Sequence, residues 1–122
     1  LPGVYAPPAG RLLVALAPDG SPAGVIGVRC FDNADPEVAE VKRLYVRPTA
    51  RGAGLGRTLA LAALDAAREL GYREARLTTL PDSMDSALRM YRTLGFVESE
   101  PFYDHSHVAD GTPMLYMRVA LG

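Results

Sequence analysis

The segment Arg-Gly-Ala-Gly-Leu-Gly-Arg at residues 51–57 places three glycines and two arginines directly before a run rich in alanine and leucine. The first turn of a helix carries backbone N–H groups without intrahelical partners and the positive end of the helix dipole. Glycines let a ligand approach that backbone closely, and the arginines add positive charge. This combination predicts a site for a phosphate or pyrophosphate group.

The spacing of this glycine loop separates it from two other phosphate-binding loops. No Gly-Lys-Ser or Gly-Lys-Thr follows, which excludes a P-loop. A dinucleotide fingerprint needs its third glycine three residues after the second, whereas Gly56 follows Gly54 by only two. Tight turns also use glycine, so the loop alone leaves a plain turn open as the alternative.

A second polar group, Asp104, His105 and His107, stands near the C-terminus. The two histidines would share one face of a strand, which is compatible with a metal site. The sequence supplies no further ligand at a fixed spacing, and a zinc site needs at least three protein ligands. We therefore predict a polar loop there and no bound metal.

Hydrophobic patterning predicts the order β-β-β-α-β-α-β-β. Strands are predicted at 11–17, 23–31, 39–46, 74–80, 96–103 and 113–120, and helices at 55–70 and 84–94. Gly71 is the expected end of the first helix, and Asp82 or Ser83 the expected start of the second. This order indicates an α/β fold with a mixed sheet, antiparallel at its start, with crossover units around the helices.

The third predicted strand contains a break in its alternation. Ala39 and Val41 would face one side of a regular strand. Leu44 and Val46 would face the same side only if one extra residue stood between the two pairs. We interpret the break as a β-bulge that leaves backbone N–H groups unpaired at 43–45, the alternative being a strand buried on both faces.

The composition is that of an ordinary globular protein: 122 residues, 48% hydrophobic, 22% charged, with a formal net charge of −1. Such a charge does not indicate binding to nucleic acid or to a membrane surface.

No apolar run approaches the roughly 20 residues of a membrane span, and no signal peptide is visible. Cys30 is the only cysteine, which excludes an internal disulfide. We expect one domain over residues 1–122, located in the cytoplasm.

Three segments share their order and spacing with a known family. They are Val-Lys-Arg-Leu-Tyr-Val at 41–46, Arg-Gly-Ala-Gly-Leu-Gly at 51–56 and Ala-Leu-Arg-Met-Tyr-Arg-Thr-Leu-Gly-Phe at 87–96. They resemble the bulged strand, the R/Q-x-x-G-x-G/A signature and the late helix of the GNAT superfamily of acyl-CoA-dependent N-acetyltransferases. The resemblance implies a mixed, mostly antiparallel sheet flanked by helices, with a splayed parallel pair at the bulged strand. It also implies that the strand and two helices that normally precede the hairpin are missing from this sequence.

The resemblance implies acetyl-CoA as co-substrate. The backbone of residues 51–57 would hold its pyrophosphate, and the pantetheine arm would lie along the bulged strand. The N–H of Leu44 would then stabilise the charge that develops on the thioester carbonyl. The implied cofactor-binding residues are Leu44, Tyr45, Val46, Arg51, Gly52, Ala53, Gly54, Leu55, Gly56 and Arg57.

The implied reaction is direct attack of a primary amine on the thioester through a tetrahedral intermediate. The amine must first lose a proton, and Glu40 is our candidate base; a solvated strand residue and a water relay are the alternatives. Tyr91 occupies the family position that protonates the departing thiolate, and its spacing also fits a core aromatic.

The acceptor end of the site is predicted around Tyr103, Asp104 and His105. The acceptor would be a small-molecule or peptide amine. Two other functions stay open: a module that binds or senses acyl-CoA without transfer, and a half-site completed by a partner chain, for which a homodimer is one arrangement.

Overall fold

A computed structural model of the chain describes residues 10–32, 35–79, 85–102 and 114–122. Its strands are β1 (Arg11–Leu16), β2 (Pro22–Asp32), β3 (Asp35–Val46), β4 (Glu74–Thr79), β5 (Val97–Glu98) and β6 (Leu115–Ala120). Its helices are α1 (Leu55–Glu69) and α2 (Asp85–Thr93), and a short 3₁₀ helix, Pro48–Ala50, follows β3. The predicted element order is confirmed.

The six strands form one mixed sheet in the order β1-β2-β3-β4-β6-β5. Each neighbouring pair is antiparallel except β3 and β4, which are parallel and joined through α1. A parallel pair requires such a crossover because the chain must return to the same end of the sheet. The predicted mixed, mostly antiparallel sheet is therefore confirmed.

Strand β5 is much shorter than the predicted strand at 96–103. Within its described residues, which run to 102, only Val97 and Glu98 pair with β6, and Ser99 N then donates to Tyr116 O at 2.8 Å. Pro101 has no N–H to offer, so the ladder cannot continue through it. The predicted start of α2 at Asp82 or Ser83 lies outside the described residues.

Both helices pack on the same face of the sheet. The buried face of α1 is made of small residues and leucines: Leu59, Ala60, Ala63, Leu64, Ala66 and Ala67. Its close approach also depends on Gly24 of β2, where an added Cβ would lie 2.8 Å from Leu59 Cδ1 and 3.0 Å from Tyr45 O. The core forms between this helix face and the strands.

Helix α2 ends with a reversal that holds its last turn in place. Gly95 has φ of 100°, a conformation that favours glycine, and Phe96 N donates back to Tyr91 O at 3.1 Å. Phe96 also packs edge-to-face on the Tyr91 ring, with centroids 5.7 Å apart. Tyr91 is therefore fixed through both its backbone and its ring.

Candidate functional site

Strands β3 and β4 pair over only three residues and then separate. Their paired residues are Val38–Glu40 and Glu74–Arg76, whereas β3 runs on to Val46 and β4 to Thr79. The separation opens a cleft of about 510 Å³ on the helix side of the sheet. Its lining residues are Leu44, Tyr45, Val46, Ala50, Arg51, Gly52, Gly54, Leu55, Gly56, Arg57, Thr79, Ala87, Met90 and Tyr91.

The wall of the cleft on β3 contains the predicted bulge. Val25 of β2 pairs with Tyr45, and Gly27 pairs with Lys42, so β3 carries one residue more than its partner over this span. Arg43 has φ of 61°, a left-handed conformation that is uncommon for a residue with a side chain. The extra residue places Leu44 and Val46 on the same face of the strand as Val41. The packing shows this, since all three side chains contact the hydrophobic core.

The glycine loop forms the end of the cleft at the start of α1. Gly54 is the N-cap residue, and its φ of 79° turns the chain into the helix. Gly56 stands in the first turn, where an added Cβ would meet nothing closer than Val46 Cγ2 at 4.0 Å. Packing within the fold therefore does not require glycine at position 56, and its small size instead leaves the helix N-terminus open to a ligand.

Two arginines connect the loop to the walls of the cleft. Arg51 Nε donates to Val46 O at 2.8 Å, and the guanidinium carbon lies 5.7 Å from the centre of the Tyr45 ring. Arg57 donates through NH1 to Thr93 Oγ1 at 2.8 Å, which ties the first turn of α1 to the last residue of α2. Both guanidinium groups belong to exposed residues that line the cleft, so it has a positively charged end.

Tyr91 lines the cleft although its side chain is largely buried, with 8% of the residue exposed. Burial raises the pKa of the Tyr91 phenol above its usual value, because the apolar surroundings disfavour the phenolate. The phenol therefore keeps its proton near neutral pH and can act as a hydrogen-bond donor or acid inside the cleft.

Glu40 lies on the opposite face of the sheet and is fully buried. Its Oε1 lies 3.2 Å from Arg29 Nε, and the two residues are register partners on β3 and β2. The alternative expectation that Glu40 is a solvated strand residue is therefore wrong. Glu40 also pairs in register with Arg76 in the last row before β3 and β4 separate, so the carboxylate lies beside the opening.

The structure brings together most of the predicted cofactor residues. Ala53 is an exposed part of the same loop but is not among the residues that line the cleft. Tyr103, Asp104 and His105 lie outside the described residues. Sequence reasoning missed Ala50, Thr79, Ala87 and Met90 as lining residues. Met90 directly precedes Tyr91 in the late-helix segment, and this position could have predicted that it lines the cleft. Nothing in the sequence predicts the same for Thr79, because it is exposed only by the separation of the two strands.

The described part of the chain contains neither a candidate metal site nor a candidate membrane-spanning helix. It holds no group of three or more His, Cys, Asp or Glu side chains arranged to bind a metal ion. It also holds no helix with the length and apolar character needed to cross a membrane.

Comparisons with known proteins agree with this geometry. The sequence is 38% identical over 117 residues to an uncharacterized N-acetyltransferase of Schizosaccharomyces pombe, covering 96% of this chain and 68% of that protein. The fold resembles that of a putative acyl-CoA N-acyltransferase from Klebsiella pneumoniae, with a TM-score of 0.78, 23% identity, and coverage of 93% of this chain and 74% of the other. It also resembles that of a putative acetyltransferase from Salmonella typhimurium solved with its cofactor acetyl-CoA, with a TM-score of 0.75, 22% identity, and coverage of 91% and 64%.

The chain thus spans less than two thirds of the Salmonella protein. A sequence profile of the acetyltransferase (GNAT) family matches residues 4–96, which include the hairpin, the bulged strand, the glycine loop and α2. The chain belongs to the GNAT acetyltransferase family.

Proposed function

We propose that this chain transfers an acetyl group from acetyl-CoA to a primary amine. The observation that carries the proposal is the single cleft in which the opening between β3 and β4, the bulge and the glycine loop meet. A long, flexible thioester with a charged end fits this shape, because one end of the cleft offers helix N–H groups and the other a strand edge.

Each part of acetyl-CoA has residues of suitable chemistry in the cleft. The N–H groups at residues 51–57 and the side chains of Arg51 and Arg57 would hold the pyrophosphate. The main chain of residues 44–46 would pair with the amides of the pantetheine arm. The bulge supports this role, because it breaks the regular ladder between β2 and β3 beside Leu44. The co-substrate supplies the activated acyl group.

Two ionisable side chains would move the protons of the reaction. A primary amine attacks the thioester carbon, a C–N bond forms, the C–S bond breaks and the sulfur leaves as a thiolate. The neutral phenol of Tyr91 would donate its proton to that thiolate. On the other face, Glu40 would accept the proton of the amine, directly or through water, with Arg29 holding the carboxylate in position.

A thiol-release assay with acetyl-CoA and a panel of primary amines tests this proposal, with the product identified by the added mass of one acetyl group. We expect release of free CoA that depends on both the amine and the enzyme. Tight binding of acetyl-CoA without release with any amine would instead support the sensing module. Turnover that appears only when a second protein is added would support the half-site.

A further inference from the structure

A row of charged side chains crosses the sheet on the face opposite the helices. Its members are register partners on four strands: Arg29 with Glu40, Glu40 with Arg76, and Arg76 with Arg118. Partners on adjacent strands project their side chains to the same face. The row runs from Arg29 on β2 through Glu40, the candidate base, and Arg76, which flank the opening, to Arg118 on β6.

Among the described residues, the positive charges of this row are not fully compensated. Glu40 pairs with Arg29 at 3.2 Å, and Arg76 donates through Nε to Glu74. Within the part of the chain that the structure describes, no carboxylate lies within ion-pair distance of Arg118. Like charges directly opposite each other destabilise an antiparallel pair, so the Arg76–Arg118 pairing costs stability unless an anion lies between them.

These two arginines also line a pocket. It has a volume of about 280 Å³, and its lining residues are Arg76, Ser99, Glu100, Pro101, Phe102 and Arg118. The guanidinium carbon of Arg76 lies 4.8 Å from the centre of the Phe31 ring and 5.3 Å from that of Phe102. The aromatic rings and Glu74 hold this guanidinium in one orientation, which is the preorganised fork that binds a carboxylate well.

We propose that Arg76 and Arg118 form a subsite for a carboxylate carried by the acceptor amine. The inference rests on the proposed acetyl transfer and names the substrate class: amines that also bear a carboxylate. The order of charge along the row supports it, because the negative Glu40 stands on the β3 side of the opening, whereas Arg76 and Arg118 stand on the β4 side. An ammonium group beside Glu40 and a carboxylate beside the arginines match this order.

Glu100 sets a limit on the charge of the bound group. It lines the same pocket and is exposed, and no guanidinium nitrogen within the described residues pairs with it. Its negative charge weakens anion binding at the pocket. A singly charged carboxylate is therefore favoured over a doubly charged phosphate.

The first experiment compares Arg118→Gln with the unchanged protein on matched acceptors: free amino acids, the corresponding carboxamides, and dipeptides with a free carboxyl end. We expect Arg118→Gln to lower the ratio of kcat/KM for acid over carboxamide about tenfold or more, since a hydrogen bond between two charged groups is lost. Arg73→Gln is the control: it removes the same charge from a side chain that is 78% exposed and lies outside the pocket, and should leave the ratio unchanged. Glu100→Gln should raise the ratio.

The outcomes separate this inference from the proposed function. If amines are acetylated but acid and carboxamide react equally well, the subsite is wrong and the acetyl transfer stands. If dipeptides react and free amino acids do not, the carboxylate belongs to a peptide end. If no amine reacts, calorimetry with N-acetyl amino acids and their carboxamides decides. The subsite requires that the acids bind more tightly and that Arg118→Gln removes the difference; equal binding overturns it.

Discussion

The two faces of the sheet would recognise the proposed ligands by different means. On the helix face, most of the residues that line the cleft belong to one continuous segment, the end of β3 and the glycine loop at residues 44–57, whose main chain would hold the co-substrate. On the opposite face, the charged row is built from side chains of four strands that lie far apart in the sequence. A site that acts through the main chain can bind the same co-substrate while its side chains change. A row of side chains, in contrast, can change its ligand specificity through single substitutions.

The largest effect is expected at the glycine loop, where Gly56→Leu would fill the space over the first turn of α1. Position 56 tolerates a side chain within the fold, since an added Cβ contacts nothing closer than 4.0 Å. We expect the affinity for CoA to fall about 100-fold or more, because several charge-assisted hydrogen bonds are lost together. Calorimetry measures the affinity, and circular dichroism shows whether the fold is kept.

Ala62→Leu is the matched control for that change. Ala62 is exposed on the same helix and does not line the cleft, so the variant adds the same side chain without blocking the loop. If Gly56→Leu binds CoA as tightly as Ala62→Leu does, the pyrophosphate lies elsewhere, and the contrast between a main-chain site and a side-chain site fails.

The next largest effect is expected from Glu40→Gln. A base that removes the proton of the amine typically contributes about 100-fold or more to the rate, so kcat/KM should fall by at least that factor. The ion pair with Arg29 also breaks, so urea unfolding should show a loss of about 1–3 kcal/mol.

Arg29→Gln distinguishes a catalytic carboxylate from a structural one. It breaks the same ion pair but keeps the carboxylate, so kcat/KM should fall much less than in Glu40→Gln while the loss of stability is similar. Equal losses of kcat/KM in both variants would show that Glu40 only holds the sheet together.

A smaller effect is expected from Tyr91→Phe. A free thiol has a pKa of about 8.5, so the thiolate is a fair leaving group even without a proton donor. We therefore expect kcat to fall about tenfold, at the low end for acid catalysis, while the affinity for CoA changes little. Tyr72→Phe is the control, since Tyr72 is buried but does not line the cleft. If the two variants turn over equally fast, Tyr91 is only a core residue.

The contrast between the two faces also explains what the sequence could predict. The bulge and the glycine loop are local, because alternation over residues 39–46 and the spacing of Gly54 and Gly56 are visible in one short segment. The charged row is not local. Arg76 and Arg118 become neighbours only because β6 pairs with β4 in one particular register, and no pattern in either strand specifies that register alone.

The burial of Glu40 escaped prediction for the same reason. Its neighbours in sequence read as an ordinary strand, and its environment comes from Arg29 and Arg76 on the two flanking strands. Short β5 is a different case, because Pro101 is visible in the sequence and indicates that a regular strand cannot run through to residue 103.

The smallest expected effect tests whether water reaches the buried phenols between the helices and the sheet. Burial raises the pKa of Tyr91, and burial together with Cys30 raises the pKa of Tyr72 from 10.0 to about 12. Both phenols are neutral in the folded and unfolded chains well below pH 10, so they then add no pH dependence. As the pH rises from about 10 towards 12, the unfolded chain loses the Tyr72 proton first, and stability falls by up to about 1.4 kcal/mol per pH unit. Urea unfolding at pH 9 and pH 11 should therefore show a smaller loss in Tyr72→Phe than in the unchanged protein. An equal loss would mean that water reaches the Tyr72 phenol, and the helix face would then be less apolar than its packing indicates.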